Sequence, residues 1–273
     1  MPGDPIMSPA NPRVKNLVRL REARHRRRQG RFLVEGAREL ARALASGWAL
    51  ETVFFCPELF GDEAAFALLE SVDRAGVEAV LLAEPAFAKA AYRENPDGWL
   101  GVAEIPERRL EDLRLFPEPL LLVAEGVEKP GNLGALLRSA DAAGVDAVIA
   151  ADAGGDLYNP NAIRASQGAF FACPWVTART AEVQAWLSTA QPEARVVALT
   201  PDAEPMLWEV DLRGALVLAV GAEDTGLTAA WLEAPEMVQA RLPMRGVTDS
   251  LNVSVAAGVA LFEAVRQRQT GSP

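Results

Sequence analysis

The chain has 273 residues, with 27 Lys and Arg residues against 37 Asp and Glu residues, and a formal net charge of −10. Half of the residues are hydrophobic, which excludes a disordered or collagen-like chain and suffices for substantial cores. At about 100–200 residues per domain, the length predicts two domains. Taken alone, the net negative charge disfavours nucleic acid as a partner.

The charge is unevenly distributed along the chain. Residues 13–31 contain nine basic residues and one acid, a net charge of +8, so the rest of the chain carries −18. Such an asymmetry indicates one cationic contact surface on an otherwise acidic body.

Few residues of the types that bind metals or form catalytic triads are present. Cys56 and Cys173 lie far apart and have no neighbouring Cys or His, so they form neither a zinc pattern nor a disulfide framework. The one histidine, His25, lies inside the basic run, which excludes Ser-His-Asp hydrolases and multi-histidine metal sites. We therefore expect no metal.

The N-terminal segment does not have the pattern of a targeting sequence. Its first ten residues contain several prolines and no Lys or Arg, which argues against a secretory signal. No apolar run approaches the roughly 20 residues that a membrane span needs. We expect a cytoplasmic protein that has no membrane partner.

The first part of the chain predicts a small α/β domain over residues 13–104, after a disordered tail over residues 1–12. The spacing of Val14, Leu17, Val18 and Leu20 predicts a helix that carries the first arginines on its solvent face. Helical segments then alternate with four short strands, RFLVEG, TVFFC, VEAVLLA and WLGVAEI. Such alternation predicts a sheet covered by helices.

The segment 105–119 contains three prolines and mixed charge, and it predicts a linker over residues 105–118 to a second domain over residues 119–273. The strands of this second domain are almost wholly apolar: LLLVAEG, AVIAA, RVVALT and ALVLAVG. Continuous apolar runs are typical of parallel strands that are buried on both faces. A terminal helix is expected from about Asn252 to Gln269.

Three polar loops follow strands of the second domain. They are GNLGALLR, AVGAEDTGL and LPMRGVTDSLNVSV. Each alone has an ordinary explanation, as an Asn helix cap, a tight Gly turn with solvated acids, or a Ser250 or Asn252 cap. Local structure does not explain why all three lie in one domain, where strand ends commonly form ligand crevices.

Together these loops resemble the three ordered motifs of the SpoU (TrmH) branch of the SPOUT RNA methyltransferases. The family pattern is Asn-x-Gly-x-x-x-Arg, then Gly-x-Glu-x-x-Gly, then Pro-Met-x-Gly-x-x-x-Ser-Leu-Asn-Val-Ser, and every position is matched. The basic helix with FLVEGARELARAL is similar to the substrate-binding domain of many members. The resemblance implies a knotted α/β domain with a parallel sheet, preceded by a smaller α/β substrate-binding domain.

The resemblance also implies an activity: methylation of a ribose 2′-hydroxyl of structured RNA by S-adenosylmethionine, in a homodimer. Ribosomal RNA is favoured over transfer RNA by analogy with members that have the extra N-terminal domain. The implied catalytic residues are Arg138, Asn132, Glu223, Ser250 and Asn252. The implied cofactor-binding residues are Thr200, Gly221, Leu242, Met244, Gly246 and Leu251.

Arginines carry the remaining predicted roles. Arg138 is expected to orient the ribose and to stabilise the developing alkoxide, because a group with a pKa above about 12 is a reluctant base. Arg164 lies in a stretch similar to one that reaches the partner's active site in family dimers. The dense basic run predicts phosphate contacts, for which the candidates are Arg21, Arg24, Arg26, Arg27 and Arg28.

Three alternatives remain open from the sequence. In the first, the same methyltransferase acts on transfer RNA. In the second, the chain is an RNA-binding protein that has kept the fold but lost turnover. A nucleotide-binding enzyme of Rossmann type is the third, although its Gly-x-Gly-x-x-Gly loop is missing.

Overall fold

The computed structural model describes residues 4–234 and 237–270, so residues 1–3 of the predicted tail and residues 271–273 of the predicted second domain lie outside it. The chain forms two compact units. One comprises the residues up to Pro106 together with Asp156–Ala172, and the other comprises Glu107–Gly155 and the residues from Cys173 onwards. Within the described ranges, no helix has the length and apolar character that crossing a membrane requires.

Strands and helices alternate along most of the chain. The strands are β1 Arg31–Glu35, β2 Leu50–Phe55, β3 Glu78–Leu81, β4 Trp99–Glu104, β5 Leu120–Glu125, β6 Ala147–Ala151, β7 Trp175–Ala178, β8 Arg195–Leu199, β9 Leu216–Val220 and β10 Val238–Ala240. The α-helices are α1 Pro12–Arg19, α2 Ala23–Gln29, α3 Ala37–Ala45, α4 Glu63–Arg74, α5 Glu84–Ala90, α6 Pro130–Ala143, α7 Pro160–Ser166, α8 Ala169–Ala172, α9 Thr180–Ala190, α10 Ala229–Leu232 and α11 Val253–Thr270.

The N-terminal unit is built on a four-stranded sheet of order β1-β4-β2-β3. β4 pairs antiparallel with β1 and β2, whereas β2 and β3 are parallel. One face of the sheet packs against α1 and α5, in a core that includes Leu17, Phe54, Phe87 and Leu100. The apolar residues of α1 therefore face the sheet, as their spacing predicts.

Residues 4–12 are ordered, so the predicted disordered tail is wrong for them. The Ile6 N–H donates to the Leu81 carbonyl at 2.9 Å, and the Ala83 N–H donates to the Ile6 carbonyl at 3.1 Å. Asn11 caps α1 with its side-chain oxygen, which accepts from the Arg13 N–H at 2.8 Å. The tail is thus tied to the end of β3 by backbone hydrogen bonds.

The basic run is divided between α1 and α2, and it includes a buried arginine. Arg26 has only 2% of its side chain exposed; its Nε and Nη2 donate to Asp156 Oδ2 at 3.1 and 2.5 Å. Its Nη1 donates to the carbonyls of Leu20 and Arg21 at 2.8 and 2.7 Å. The prediction that Arg26 contacts phosphate is not supported, because every terminal nitrogen faces an internal acceptor.

Arg21 is also engaged within the unit. Its Nη2 donates to the carbonyls of Lys89 and Ala90 at 2.8 and 2.7 Å, and also to that of Ala91. The last carbonyls of a helix have no partner within the helix, so this guanidinium stabilises the end of α5. Arg24, Arg27 and Arg28 are exposed, and they remain candidates for phosphate contacts.

Substitution of Arg26 tests its structural role. Arg26→Ala removes the donors of Asp156 Oδ2 and of two carbonyls, and breaking such a buried pair costs about 3–5 kcal/mol. We expect a loss of that order in the free energy of unfolding, measured by urea denaturation. The matched control Arg27→Ala removes an exposed guanidinium and should change stability by less than about 0.5 kcal/mol. Equal losses in the two variants would contradict the assignment.

The C-terminal unit is built on a six-stranded sheet of order β10-β8-β9-β5-β6-β7, in which all pairs are parallel. Leu122 of β5 lies opposite Leu218 of β9 on one side and Val148 of β6 on the other. Every residue of β5, β6 and β9 is buried. The prediction of parallel strands from continuous apolar runs is confirmed.

The unit boundaries differ from the predicted domain boundaries in two places. Residues 107–118, predicted as a linker, belong to the C-terminal unit, and Leu110 is buried in its core. Asp156–Ala172, predicted within the second domain, belongs to the N-terminal unit. Its Asp156 holds Arg26, and the Trp48 indole N–H donates to the Phe171 carbonyl at 3.0 Å.

Candidate active site

Parallel strands end at one edge of a sheet, and the loops after β8, β9 and β10 surround a cavity there. The cavity has a volume of about 350 Å³, within the usual range of ligand pockets. Residues from these loops, their strands and the start of α11 line it: Leu199, Thr200, Pro201, Asp202, Val220, Gly221, Ala222, Glu223, Asp224, Thr225, Gly226, Leu227, Leu232, Ala240, Leu242, Met244, Asp249, Ser250, Leu251, Val253 and Ala256.

Five of the six predicted cofactor residues line this cavity: Thr200, Gly221, Leu242, Met244 and Leu251. Gly246 does not line it. The walls combine leucine side chains with the hydroxyls of Thr200, Thr225 and Ser250. Carboxylates of Asp202, Asp224 and Asp249 are also present. Such a lining suits a molecule with an apolar ring, hydrogen-bonding edges and positive charge.

Gly221 allows two stretches of backbone to meet beside the cavity. A Cβ atom at this position would lie 2.0 Å from the Gly226 carbonyl carbon and 2.2 Å from the Leu227 nitrogen. Any other residue would force the backbone apart. Gly226 has φ = 65°, a left-handed conformation that favours glycine, and its N–H donates to the Ala222 carbonyl at 3.0 Å.

A polar cluster beside the cavity joins residues from all three motif loops. Asn252 Nδ2 donates to Glu223 Oε1 at 2.6 Å and to Asn132 Oδ1 at 3.1 Å. Lys129 Nζ forms an ion pair with Glu223 Oε2. Asn252 Oδ1 accepts from the Ser254 backbone N–H and hydroxyl at 3.1 and 2.6 Å, which fixes the start of α11. The structure thus brings together three predicted catalytic residues, Asn132, Glu223 and Asn252.

The cluster favours the ionised form of Glu223. Hydrogen bonds from Lys129 and Asn132 lower the pKa of the Glu223 carboxyl from its ordinary value, although partial burial opposes them. The same pair raises the pKa of the Lys129 ammonium. Lys129 was not predicted as a site residue; its position directly before the Pro130 that starts α6 is the only sequence signal.

The other two predicted catalytic residues lie outside these hydrogen bonds, and Arg138 is not among the residues that line the cavity. Ser250 is exposed and lines the cavity. Arg138 is exposed on α6 and, among the described residues, has no hydrogen-bond or ion-pair partner. It lies six residues after Asn132, roughly 9 Å further along the helix axis. Its guanidinium is therefore available to a bound ligand.

Arg164 lies on α7 in the N-terminal unit, where its side chain is exposed. With Glu35, Tyr92 and Arg93 it lines a small pocket of about 10 Å³. No metal site accompanies these residues: among those described, no three His, Cys, Asp or Glu side chains are grouped to hold an ion.

Glu125, at the end of β5, is a buried residue that sequence analysis missed. It is 2% exposed, and its Oε1 accepts from the hydroxyls of Thr180 and Thr228 at 2.7 and 2.9 Å. Its Oε2 accepts from the Thr228 backbone N–H at 2.7 Å. The carboxylate thus anchors the end of the loop after β9, which lines the cavity. An acid at the end of a wholly apolar strand was the available signal.

Comparison with known proteins decides the family. A model of the SpoU rRNA methylase family matches residues 119–262, and a model of the MRM3-like substrate binding domain matches residues 11–101. This chain belongs to the SpoU rRNA methylase family. The resemblance drawn from the three motifs is confirmed.

Relatives match nearly the whole chain. The 23S rRNA (uridine(2479)-2′-O)-methyltransferase of Streptomyces viridochromogenes is 31% identical, over 90% of this chain and 86% of its own. The 23S rRNA (guanosine(2553)-2′-O)-methyltransferase RlmP of Bacillus subtilis is 30% identical, over 94% of this chain and 97% of its own. The N-terminal unit is thus shared with these methyltransferases.

Solved structures confirm the α/β fold. The structure of an RNA 2′-O ribose methyltransferase has a TM-score of 0.83 and 47% identity, covering 97% of this chain and all of its own. The SpoU methyltransferase AviRb of Streptomyces viridochromogenes, in complex with the cofactor AdoMet, has a TM-score of 0.85 and 29% identity, covering 96% and 100%.

The anchoring role of Glu125 is testable with two substitutions. Glu125→Ala leaves three donors without an acceptor, among them the buried Thr180 hydroxyl. We expect it to loosen the loop and to weaken S-adenosylmethionine binding by about tenfold, as one lost buried partner costs about 1–3 kcal/mol. In Glu125→Gln the amide oxygen can accept from the Thr228 N–H while the NH₂ group donates to both hydroxyls. We expect this variant to bind within about threefold of the parent.

Calorimetry at a temperature well below the unfolding transition measures both affinities. The matched control is Glu39→Ala, which removes another buried carboxylate, 1% exposed, from the N-terminal unit. It should lower the melting temperature without changing cofactor affinity. Normal affinity in folded Glu125→Ala would exclude the anchoring role.

Proposed function

We propose that this protein transfers the methyl group of S-adenosylmethionine to a ribose 2′-hydroxyl of ribosomal RNA. The observation that carries the proposal is the meeting of Asn132, Glu223 and Asn252 beside a cavity whose walls come from the family's motif loops. Relatives that match over nine tenths of this chain are named as 23S rRNA 2′-O-methyltransferases, and this favours ribosomal over transfer RNA.

The cavity residues fit the cofactor. Leu199, Leu227 and Leu242 offer apolar surface to an adenine ring, and the Gly221 backbone closes the wall without a side chain. Carboxylates on the lining favour a ligand that carries a sulfonium and an ammonium charge. When bound, the cofactor supplies an activated methyl group on its sulfur.

The protein must position and activate a weak nucleophile, since a ribose hydroxyl is barely ionised at neutral pH. Holding the hydroxyl in line with the methyl group supplies much of the rate. We assign to Arg138 the orientation of ribose and phosphate and the stabilisation of negative charge as the hydroxyl proton leaves. It is exposed and has no partner within the part of the chain that the structure describes, so its donors are available for that purpose.

The polar cluster holds together the elements that carry the catalytic residues. The ionised Glu223 accepts from Asn252, which in turn donates to Asn132 on the helix that carries Arg138. The start of α6, the loop after β9 and the start of α11 are thereby held in one arrangement. Ser250 offers a hydroxyl to the ligand from the cavity wall.

Arg138→Ala tests the catalytic assignment. We expect a fall in kcat of about 100-fold or more, because a group that stabilises developing charge contributes on that scale, with cofactor affinity preserved. Methyl transfer to 23S rRNA is measured by mass spectrometry of digested nucleosides. The matched control Arg114→Ala, at another exposed arginine of the same unit, should keep full activity.

Two outcomes would overturn the assignments. Methyl groups found only on bases would exclude ribose methylation, and full turnover by Arg138→Ala would remove the role of Arg138. A parent protein that binds RNA but has no measurable affinity for S-adenosylmethionine would instead favour the non-catalytic RNA-binding alternative.

We also propose that the protein is a homodimer joined through α11. Three large apolar side chains follow one another along the exposed face of this helix, Val255, Val259 and Phe262, each 45–52% exposed. They are spaced at four and three residues, so they form one stripe. In the dimer we assign Arg164 to the partner's active site, as the family resemblance implies.

A charge in the α11 stripe tests the dimer. Phe262→Glu should convert the protein to monomers in light scattering, because an ionised carboxylate is costly to bury in an apolar interface. Phe116→Glu, at a phenylalanine that is 74% exposed elsewhere in the same unit, should leave the oligomeric state unchanged. A monomeric parent protein would exclude both the dimer and the role of Arg164.

A further inference from the structure

A second cavity lies wholly within the N-terminal unit, where α1 and the end of α2 meet strands β1, β2 and β4. Its volume is about 390 Å³, comparable to the cavity of the candidate active site, and the two share no lining residue. We call it the amide cleft, after Asn16 and Gln29 on its wall. No role in the proposed methyl transfer depends on it.

Arg13 forms a flat surface in the amide cleft. Its guanidinium lies over the Phe54 ring, 5.3 Å from the ring centroid, and both of its terminal nitrogens bond to the carboxylate of Glu78. The ring and the carboxylate together fix the plane of the guanidinium. Since 42% of the Arg13 side chain is exposed, a planar ligand can stack on it.

Asn16 and Gln29 present hydrogen-bonding groups to the same space. Their amides bond reciprocally: Asn16 Nδ2 donates to Gln29 Oε1 at 3.2 Å, and Gln29 Nε2 donates to Asn16 Oδ1 at 3.0 Å. Each amide retains one N–H and one lone pair after this exchange. Such paired donors and acceptors match the edge of a nucleobase, which Asn and Gln side chains commonly bind.

The charges that line the amide cleft are internally compensated. Arg31 is paired with Glu51 through its Nε and Nη2, and Arg13 is paired with Glu78 through its two terminal nitrogens. The two guanidinium and two carboxylate groups therefore leave no net charge on this wall. An anionic phosphate gains little there, whereas a neutral heterocycle meets a stacking surface and polar partners.

Uncompensated positive charge lies on the same two helices outside the amide cleft. Lys15 and Arg19 of α1 and Arg27 and Arg28 of α2 are exposed, and none has an ion-pair partner among the described residues. Cations of this kind suit the phosphates of an RNA strand. The pattern is a neutral, hydrogen-bonding cavity bordered by phosphate-binding groups.

We propose that the amide cleft binds a single unpaired nucleobase of the RNA substrate. The base stacks on the Arg13 guanidinium and bonds to the amides of Asn16 and Gln29, while the adjoining phosphates contact the exposed cations of α1 and α2. This inference rests on the proposed RNA substrate, and it adds a base-specific contact to a domain otherwise expected to bind phosphate. It predicts recognition of a single-stranded or bulged nucleotide.

Binding of short RNAs to the full chain tests the proposal. Fluorescence anisotropy compares labelled 12-mers of oligo(A) and oligo(U) with an abasic 12-mer that has the same number of phosphates. We expect at least one base-containing RNA to bind about tenfold more tightly than the abasic strand, the scale of stacking one base. Equal affinity for all three would overturn the proposal, since phosphate contacts alone would then explain binding.

Two variants separate the base contact from the phosphate contacts. Asn16→Ala/Gln29→Ala should reduce the preference for the base-containing RNA over the abasic strand to the part that stacking on Arg13 supplies, without changing the affinity for the abasic strand. Arg27→Gln/Arg28→Gln should weaken both equally and reduce the salt slope by about 1.4, at roughly 0.7 per phosphate contact on a single strand. An undiminished base preference in the amide variant would exclude base recognition by the amides of the cleft.

A third variant tests whether a loss of base preference results only from a loss of folding. Arg13→Lys keeps the charge and the ion pair with Glu78 but removes the flat guanidinium, so we expect the base preference to fall while the melting temperature changes little. Methylation of 23S rRNA is measured in parallel. Turnover without base preference would overturn only the proposed role of the amide cleft. Base preference without methyl transfer would overturn the proposed function but not base binding by the amide cleft.

Discussion

The backbone at Gly221 passes so close to Gly226 and Leu227 that a Cβ atom there would lie 2.0 Å from a backbone carbon. This contact decides the path of the loop after β9, which forms one wall of the cavity and carries Glu223 into the polar cluster. Glu125 holds the far end of the same loop through Thr228. The loop is therefore fixed from both ends before any ligand binds, and such preorganisation is what a site for in-line transfer requires.

The arginines of residues 13–31 have different roles, and burial decides whether each one binds an internal acceptor or is available to RNA. Arg26 and Arg27 are neighbours in sequence, yet one is buried against Asp156 and the other is exposed. Arg21 stabilises the end of a helix, whereas Arg13 and Arg31 are matched by carboxylates within the amide cleft. Only part of the +8 charge of residues 13–31 is consequently available to phosphates. The contact surface is still positively charged, but fewer of its charges are available to phosphates than the sequence implies.

Much of this arrangement could be predicted from the sequence. The apolar strands gave the parallel sheet, and three ordered motifs gave the family together with the residues that meet at the carboxyl edge. Glu125 and Lys129 were missed because each looks like an ordinary charged residue beside a strand end or helix start. Arg26 was misassigned because no local pattern distinguishes a buried arginine from an exposed one in a continuous basic run. Its partner, Asp156, lies 130 residues further along the chain.

The return of residues 156–172 to the N-terminal unit has a consequence for the order of folding during synthesis. The first unit is incomplete when its own sheet has been made, since Arg26 is still without the carboxylate that compensates it. At about 5–20 residues per second, the ribosome needs on the order of ten seconds to supply Asp156, and by then β5 and β6 of the second sheet have also been translated. The first unit therefore receives its last segment only after part of the second sheet has been translated.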